Sequence, residues 1–286
     1  MTRQNIFELL KKEYNVVCEI NKIKQLFETE IIQHRNSYGE IRNSYYIEEL
    51  FDKYVLPNWK QRNSFLSTQE IKISLKIPRR YCTSSSLNDI LNALEYYENI
   101  IYFLVKKFRI LDRKEFNVTQ KFQILVENIL LLISNLNYRL IIDEREEKVL
   151  LVPKKPEAIA VAELSSKNTA LAILKYNHAS LKGNLESKRK LLYQISLEYE
   201  PLLKAPIEGY KDFYEKTNAL LNTLHIRHNN TQKENNKNAV IEITDNELEK
   251  WYDELYQLLL FCVLIRDNLD RKKEVSEILK VIMNNK

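Results

Sequence analysis

The sequence predicts a mostly α protein, a multi-helix bundle with a small β element (a short strand plus a hairpin) in the middle. Three observations carry this. Apolar residues recur at helical spacing over most of the 286 residues. Only three glycines occur, Gly39, Gly183 and Gly209. That suits helices, whose interiors exclude glycine, and argues against glycine-rich phosphate loops, dinucleotide-binding folds and sandwiches built on tight turns. Period-two patterns, the mark of a strand, are confined to two places.

Taken in order, Ile6, Leu9, Leu10, Val17, Ile20, Ile23, Phe27 and Ile31 repeat at helical spacing and predict one long amphipathic helix from about 5 to 33. A loop around Tyr38-Gly39 leads to a second helix, capped by Ser44 and stopped by Pro57. Ile71, Ile73, Leu75 and Ile77 alternate with polar residues, which predicts a short strand ended by Pro78. Ser86-Leu87-Asn88-Asp89 reads as a capping box opening a helix to about Ile110. Another helix spans about Thr119 to Leu136. It is apolar almost all round from Ile129 to Ile133, so a central position is expected.

Tyr138 to Ile142 and Lys148 to Val152 flank the charged loop Asp143-Glu144-Arg145-Glu146-Glu147. Two β-rich runs around a short polar loop predict a hairpin; the alternative is a helix continuing through the charges. Pro153 and Pro156 favour the hairpin by cutting off a helix on the far side. The same place is the expected boundary between an N-terminal helical part with the β element, 1–153, and a C-terminal helical bundle, 154–286. Helices then follow at about 157–164, 167–180, 184–203, 210–228 and 244–268, with a short one at about 271–283, either separate or a continuation of the last. Thr244-Asp245-Asn246-Glu247 is a second capping box, and His228 to Asn238 reads as an exposed polar loop.

Hydrophobic residues at 44% and charged residues at 29% describe a globular chain and exclude the disordered and membrane-embedded classes. The formal charge of +5 permits nucleic acid as a partner without demanding it. Cys18, Cys82 and Cys262 stand alone, with no CxxC and no metal spacing, so reduced thiols, no metal and no cofactor are expected. The apolar runs Asn128 to Tyr138 and Leu255 to Ile265 are too short to span a bilayer, and no apolar signal core opens the chain. The expectation is a cytoplasmic protein with no membrane partner.

Proton-transfer and phosphate-binding groups are densest at His225-Ile226-Arg227-His228, followed by Asn229-Asn230. On a helix His225 and His228, three apart, share a face. Imidazole exchanges protons near neutral pH, and a guanidinium grips phosphate and offsets charge that grows in the transition state. This is a toolkit for metal-free RNA cleavage, in which a 2′-hydroxyl attacks its own phosphate. The competing reading is structural: basic residues in a last turn oppose the helix dipole, and Asn suits the exit from a helix.

Two further clusters are weighed the same way. Tyr176-Asn177-His178-Ala179-Ser180-Leu181-Lys182-Gly183 ends a predicted helix with Gly183 at its C′ position, and His178 makes it a candidate wall of a polar crevice. Arg79-Arg80-Tyr81 before Thr83-Ser84-Ser85-Ser86 offers guanidiniums and an aromatic ring to an anion or a base, or is a solvated linker. Lys188-Arg189-Lys190 reads as a solvated helical face, and the tyrosines, at helical spacing beside Leu and Ile, as core edge. Glu48-Glu49 and Glu146-Glu147 are adjacent and point in different directions, so they make no catalytic carboxylate pair.

Arg227-His228-Asn229-Asn230 resembles the first half of the signature of bacterial HEPN domains, an Arg, a polar residue and then a His several positions on. Those domains are helical bundles, many of them RNases of phage defence, abortive infection and toxin systems. The resemblance implies a metal-independent endoribonuclease acting as a homodimer with its site at the dimer interface. Arg227 would grip the phosphate, His228 or His225 would shuttle the proton, and Asn229 would orient the phosphate or the ring. The second half departs from the pattern, because Lys233 stands where the His is expected, between Gln232 and Glu234. Either His225 or His228 then takes the proton-transfer role, or the site only binds RNA, with Lys233, Arg79, Arg80 and His178 as contacts. The alternative, from a different class, is a non-catalytic helical scaffold or regulator that binds a protein partner in a defence complex.

Overall fold

The computed structural model describes residues 14–59, 62–224, 226 and 243–284, and they are mostly α with two small sheets. The chain divides into two units, residues 1–151 and 152–286.

In the first unit, helix α1 (Val16–Phe27) starts at Asn15, whose side chain accepts a hydrogen bond from the Cys18 amide at 3.0 Å. It buries Ile20, Ile23 and Phe27. The helix expected to reach 33 stops here, and residues 1–13 lie outside the described ones. Ile32–Arg35 forms strand β1, the middle of a three-stranded antiparallel sheet with β2 (Ile41–Tyr45) on one side and β3 (Phe116–Val118) on the other. Ser44 therefore sits in a strand. The next helix, α2 (Ile47–Tyr54), follows Tyr46, and a 3-10 turn over Leu56–Asn58 carries Pro57.

The strand expected at Ile71–Ile77 is also corrected: Thr68–Ser74 is helix α3. Ser67 accepts from the Glu70 amide, an N-cap that outweighs the alternation of a run too short to specify a sheet partner. The Ser86–Asp89 capping box does open helix α4 (Leu87–Tyr102). The chain leaves α geometry earlier than Ile110, through a π turn over Phe103–Lys107 and a 3-10 turn over Ile110–Asp112. Helix α5 (Gln120–Asn135) buries Leu125, Ile129, Leu132 and Ile133 but exposes Leu130 and Leu131, so it is covered on one face only.

The hairpin forms as strands β4 (Tyr138–Asp143) and β5 (Lys148–Pro153). Asp143 is buried and accepts from the Arg145 and Glu146 amides, which closes the charged loop. Helix α4 holds β5 by side chains: Asn99 gives Val149 both a donor and an acceptor, each at 2.8 Å, and Glu95 accepts from the Leu151 amide at 2.7 Å. These bonds satisfy backbone groups that would otherwise be buried without partners.

The second unit is helical: α6 (Pro156–Glu163), α7 (Lys167–Lys175), α8 (Leu185–Lys204), α9 (Lys211–Thr223) and α10 (Asp245–Asn284). Its core gathers Val161, Ile173, Leu192, Ile195, Tyr214, Leu255 and Leu259. Two expected helices are shorter. The one expected to 180 ends at Lys175, with a 3-10 turn over Ala179–Leu181 before Gly183, and the one expected to 228 ends at Thr223. After Thr244 the continuous alternative holds, in one helix of 40 residues. Thr244 and Glu247 cap it reciprocally. Among the described residues no helix is long and apolar enough to cross a membrane.

Candidate functional site

Of the residues singled out in the sequence, His225, Arg227, His228, Asn229 and Lys233 lie outside the described ones. Arg79 and Arg80 are exposed on a bend after α3. Tyr81 beside them is only 1% exposed, its backbone held by the Asn21 side chain at 3.0 and 3.1 Å. The guanidiniums are therefore available to an anion, whereas the ring expected to stack on a base belongs to the core.

His178 is half-buried and caps the 3-10 turn, with Nδ1 accepting from the Ser180 amide at 3.2 Å. It does line a polar crevice of the second unit, of about 290 Å³, together with Lys155, Asn177, Lys182 and Asp253. The crevice floor corrects another expectation. Lys188, read as part of a solvated face, is buried and places its ammonium 2.8 Å from Glu249 and 2.7 Å from Asp253. Tyr176 donates to the same Asp253 oxygen at 2.9 Å, and its ring stacks on Tyr256 at 4.2 Å between centroids. Tyr256 in turn donates to the Ile173 carbonyl and accepts from Asn177, both at 2.9 Å. The Lys188 hydrogen bond holds the Glu249 carboxyl below its usual range. These partners are consumed in joining α8 to α7 and α10, which makes the network a structural staple.

The first unit holds a different kind of site, a cleft of about 670 Å³ walled by aromatic rings. Tyr54, at the end of α2, stacks on Phe108 with centroids 4.9 Å apart and planes 22° from parallel. The Arg113 guanidinium lies 4.1 Å above the Phe108 ring, and Nε of Arg113 donates to the Phe108 carbonyl at 2.8 Å. Phe116, on β3, meets both Phe108 and Tyr54 edge-on. Trp59 packs against Phe51 and Phe103.

Local backbone geometry brings these groups together. In the π turn the Phe108 amide bonds to the Phe103 carbonyl at 3.0 Å, five residues back, and such turns recur at functional sites. Arg109 then takes a left-handed conformation, φ 54°, which reverses the chain so that Arg113 and Phe116 return to the same cleft. Antiparallel pairing sets His34 of β1 opposite Phe116 of β3, with ring centroids 5.3 Å apart.

The electrostatics are mixed. At the rim Lys107 pairs with Glu147 and Arg113 with Glu115, all four side chains roughly 40% exposed. Deeper in, Nδ1 of His34 and Nε1 of Trp59 are buried without a hydrogen-bond partner. A buried polar group left bare costs about 1–3 kcal/mol. Both are shut off from solvent behind the cleft wall, as are the Tyr81 hydroxyl and Glu98 Oε1 elsewhere in the unit. Sequence reasoning missed this site, although a signal was present: Phe103, Phe108 and Phe116 alternate with Lys106, Lys107, Arg109 and Arg113.

Among the described residues no group of three or more His, Cys, Asp and Glu is placed to hold a metal ion. No family model, curated protein or solved structure matches the chain.

Proposed function

We propose that this chain acts on single-stranded RNA as a HEPN-like bacterial defence protein, holding RNA at the aromatic cleft of its first unit. The observation that supports the reading is the cleft itself. It sets the part-exposed Tyr54 ring, backed by the buried Phe108 ring, beside Arg113 and Lys107, a ring for a base and two cations for a phosphate. RNA recognition favours unstacked bases set on aromatic side chains and guanidinium planes.

In this reading the corner at Arg227 supplies the chemistry. His228 or His225 takes the proton of a 2′-hydroxyl, whose oxygen forms a bond to the adjacent phosphorus. The bond from phosphorus to the 5′-oxygen breaks, and that oxygen leaves with a proton. Arg227 offsets the charge gathering on the phosphoryl oxygens, and Asn229 orients the group. The products are a 2′,3′-cyclic phosphate and a 5′-hydroxyl. Arg79, Arg80, His178 and Lys233 are further RNA contacts in the same picture, and the active species is a cytoplasmic homodimer.

The test is incubation of the purified chain with end-labelled single-stranded RNA in EDTA. Cleavage that persists with the chelator and is lost in Arg227→Ala supports the ribonuclease. Binding without cleavage, with affinity falling steeply as salt rises, supports the version that only binds.

A second reading is favoured by one observation. Val275, Ile278, Leu279 and Ile282, at helical spacing near the end of α10, are all about half exposed or more. Such a stripe suits a protein partner of a non-catalytic scaffold. Stable co-purification with a partner that is lost in Ile278→Glu, together with no RNA binding, would favour it.

A further inference from the structure

The last part of helix α10 has no cover. Every residue over 270–283 is exposed, whereas Leu255, Leu259, Leu260 and Val263 of the same helix are buried in the core of the second unit. The uncovered part is roughly four turns, about 21 Å long. An isolated helix of that length is marginal in water, so it gains most from packing against another surface. Val275, Ile278, Leu279 and Ile282 fall within about 100° of arc on it.

The spacing points to what that surface is. Asn268, Val275 and Ile282 are seven apart and take the a positions of a heptad, with Arg271 and Ile278 at d. β-branched residues at a favour two strands, and a single Asn at a fixes their register. Phe261, seven before Asn268 and 42% exposed, carries the seam back toward the body of the unit. Arg271 is the misfit. Its Nε donates to Asp267 at 2.7 Å, which neutralises the guanidinium and leaves its aliphatic stem to the seam.

Charge along the two edges makes the pattern self-complementary. Asp267 and Glu274 stand at the g positions, and Lys272 at e. In a parallel pair each g residue meets the e residue five further along, so Asp267 faces Lys272 of the partner subunit, and symmetry repeats the contact. An antiparallel pair sets g against g, acid against acid. Among the described residues Lys272 has no ion pair within the chain to give up. Pairs this exposed add little affinity; they choose the direction, while the apolar seam supplies the binding.

We propose that α10 pairs with α10 of a second copy as a parallel two-stranded coil over residues 268–282, and that this is where the homodimer forms. The part this dimer plays in activity rests on the RNA reading; the interface does not.

The experiment uses the full chain. Sedimentation velocity up to about 100 μM is expected to show a monomer–dimer equilibrium, and Ile278→Glu to abolish the dimer over that range. Lys272→Glu, which sets acid against Asp267 twice, is expected to weaken it about fivefold at low salt. Both positions are exposed, and circular dichroism establishes that the variants fold. Direction is read in a Cys18→Ser, Cys82→Ser background, where Ile282→Cys is expected to form an intersubunit disulfide in oxidised glutathione. A chain that stays monomeric overturns the inference and the homodimer together. A dimer that persists in Ile278→Glu overturns the inference and leaves the homodimer standing. A dimer with no disulfide in Ile282→Cys overturns the parallel arrangement, and a monomer that pairs only with a different protein through Ile278 overturns the second copy as occupant. RNA binding is measured on the same samples: a dimer lost in Ile278→Glu without any RNA binding upholds the interface and removes the RNA reading.

Discussion

The buried ammonium of Lys188 reaches Asp253 at 2.7 Å on a neighbouring helix of the second unit, and Glu249 one turn earlier adds a second carboxylate at 2.8 Å. Removing the ammonium leaves two anions facing a hole. Both retain some access to water, Asp253 more than Glu249, so the loss falls below that of a fully buried pair. Lys188→Met is expected to destabilise the second unit by about 1–3 kcal/mol. Urea unfolding read by Trp251 emission, in a Trp59→Phe background, measures it. A change below about 0.5 kcal/mol would mean that the staple is ornamental.

Asn99 acts toward Val149 as a neighbouring strand would, donating to its carbonyl and accepting from its amide. Asn99→Ala leaves both backbone groups without partners at a residue only 3% exposed, and about 2–3 kcal/mol of stability should go with them. Asn99→Asp keeps the acceptor and loses the donor, so it should fall between. Amide exchange at Val149 checks the mechanism. Faster exchange in Asn99→Ala is expected, and unchanged exchange would contradict the clamp.

Glu98 lies buried on α4 with Oε1 lacking a partner, and burial pushes its carboxyl up to about 7 from an ordinary 4.5. The folded chain therefore keeps a proton that the unfolded chain releases near 4.5. Stability then declines as pH rises from about 4.5 to about 7, by at most about 3 kcal/mol. Glu98→Gln, neutral throughout, should flatten this decline and exceed the parent in stability at pH 8. Parallel pH series of denaturant melts decide it, and identical slopes would refute the assignment.

Arg109 occupies the left-handed region at φ 54°, where a side chain costs about 1–2 kcal/mol that glycine avoids. Its ion pair with Asp112, at 2.8 Å, is well exposed and contributes little in return. Arg109→Gly is thus expected to raise the thermal midpoint by a few degrees. A fall of similar size would mean that the residue holds the cleft by contacts and not by conformation.

Short-range signals were legible in the sequence and long-range ones were not. The capping boxes at Ser86 and Thr244, and the hairpin around Asp143–Glu147, are written within a few residues and appear as read. Strands β1 and β2 were missed because His34, Arg35, Asn43 and Ser44 interrupt the apolar alternation. The pairing of β1 with Phe116–Val118 crosses more than eighty residues, as the bond between Asn117 and Gln33 illustrates. The Ile71–Ile77 run misled because alternation was weighed above Ser67 and Glu70, the local N-cap signal. Lys188 looked solvated because Glu249 and Asp253 lie more than sixty residues away. The cleft draws on β1, α2, the π turn and β3, so no single window of sequence contains it.

The most direct test of the central claim is ultraviolet crosslinking of labelled single-stranded RNA to the full chain, followed by peptide mapping. Stacked bases crosslink to the aromatic rings they touch, so adducts are expected at Tyr54, Trp59 or Phe116 and should vanish in Phe108→Ala, which removes the ring that backs Tyr54 and Arg113. Adducts confined to other parts of the chain, or a yield indifferent to Phe108→Ala, would contradict RNA binding at the cleft.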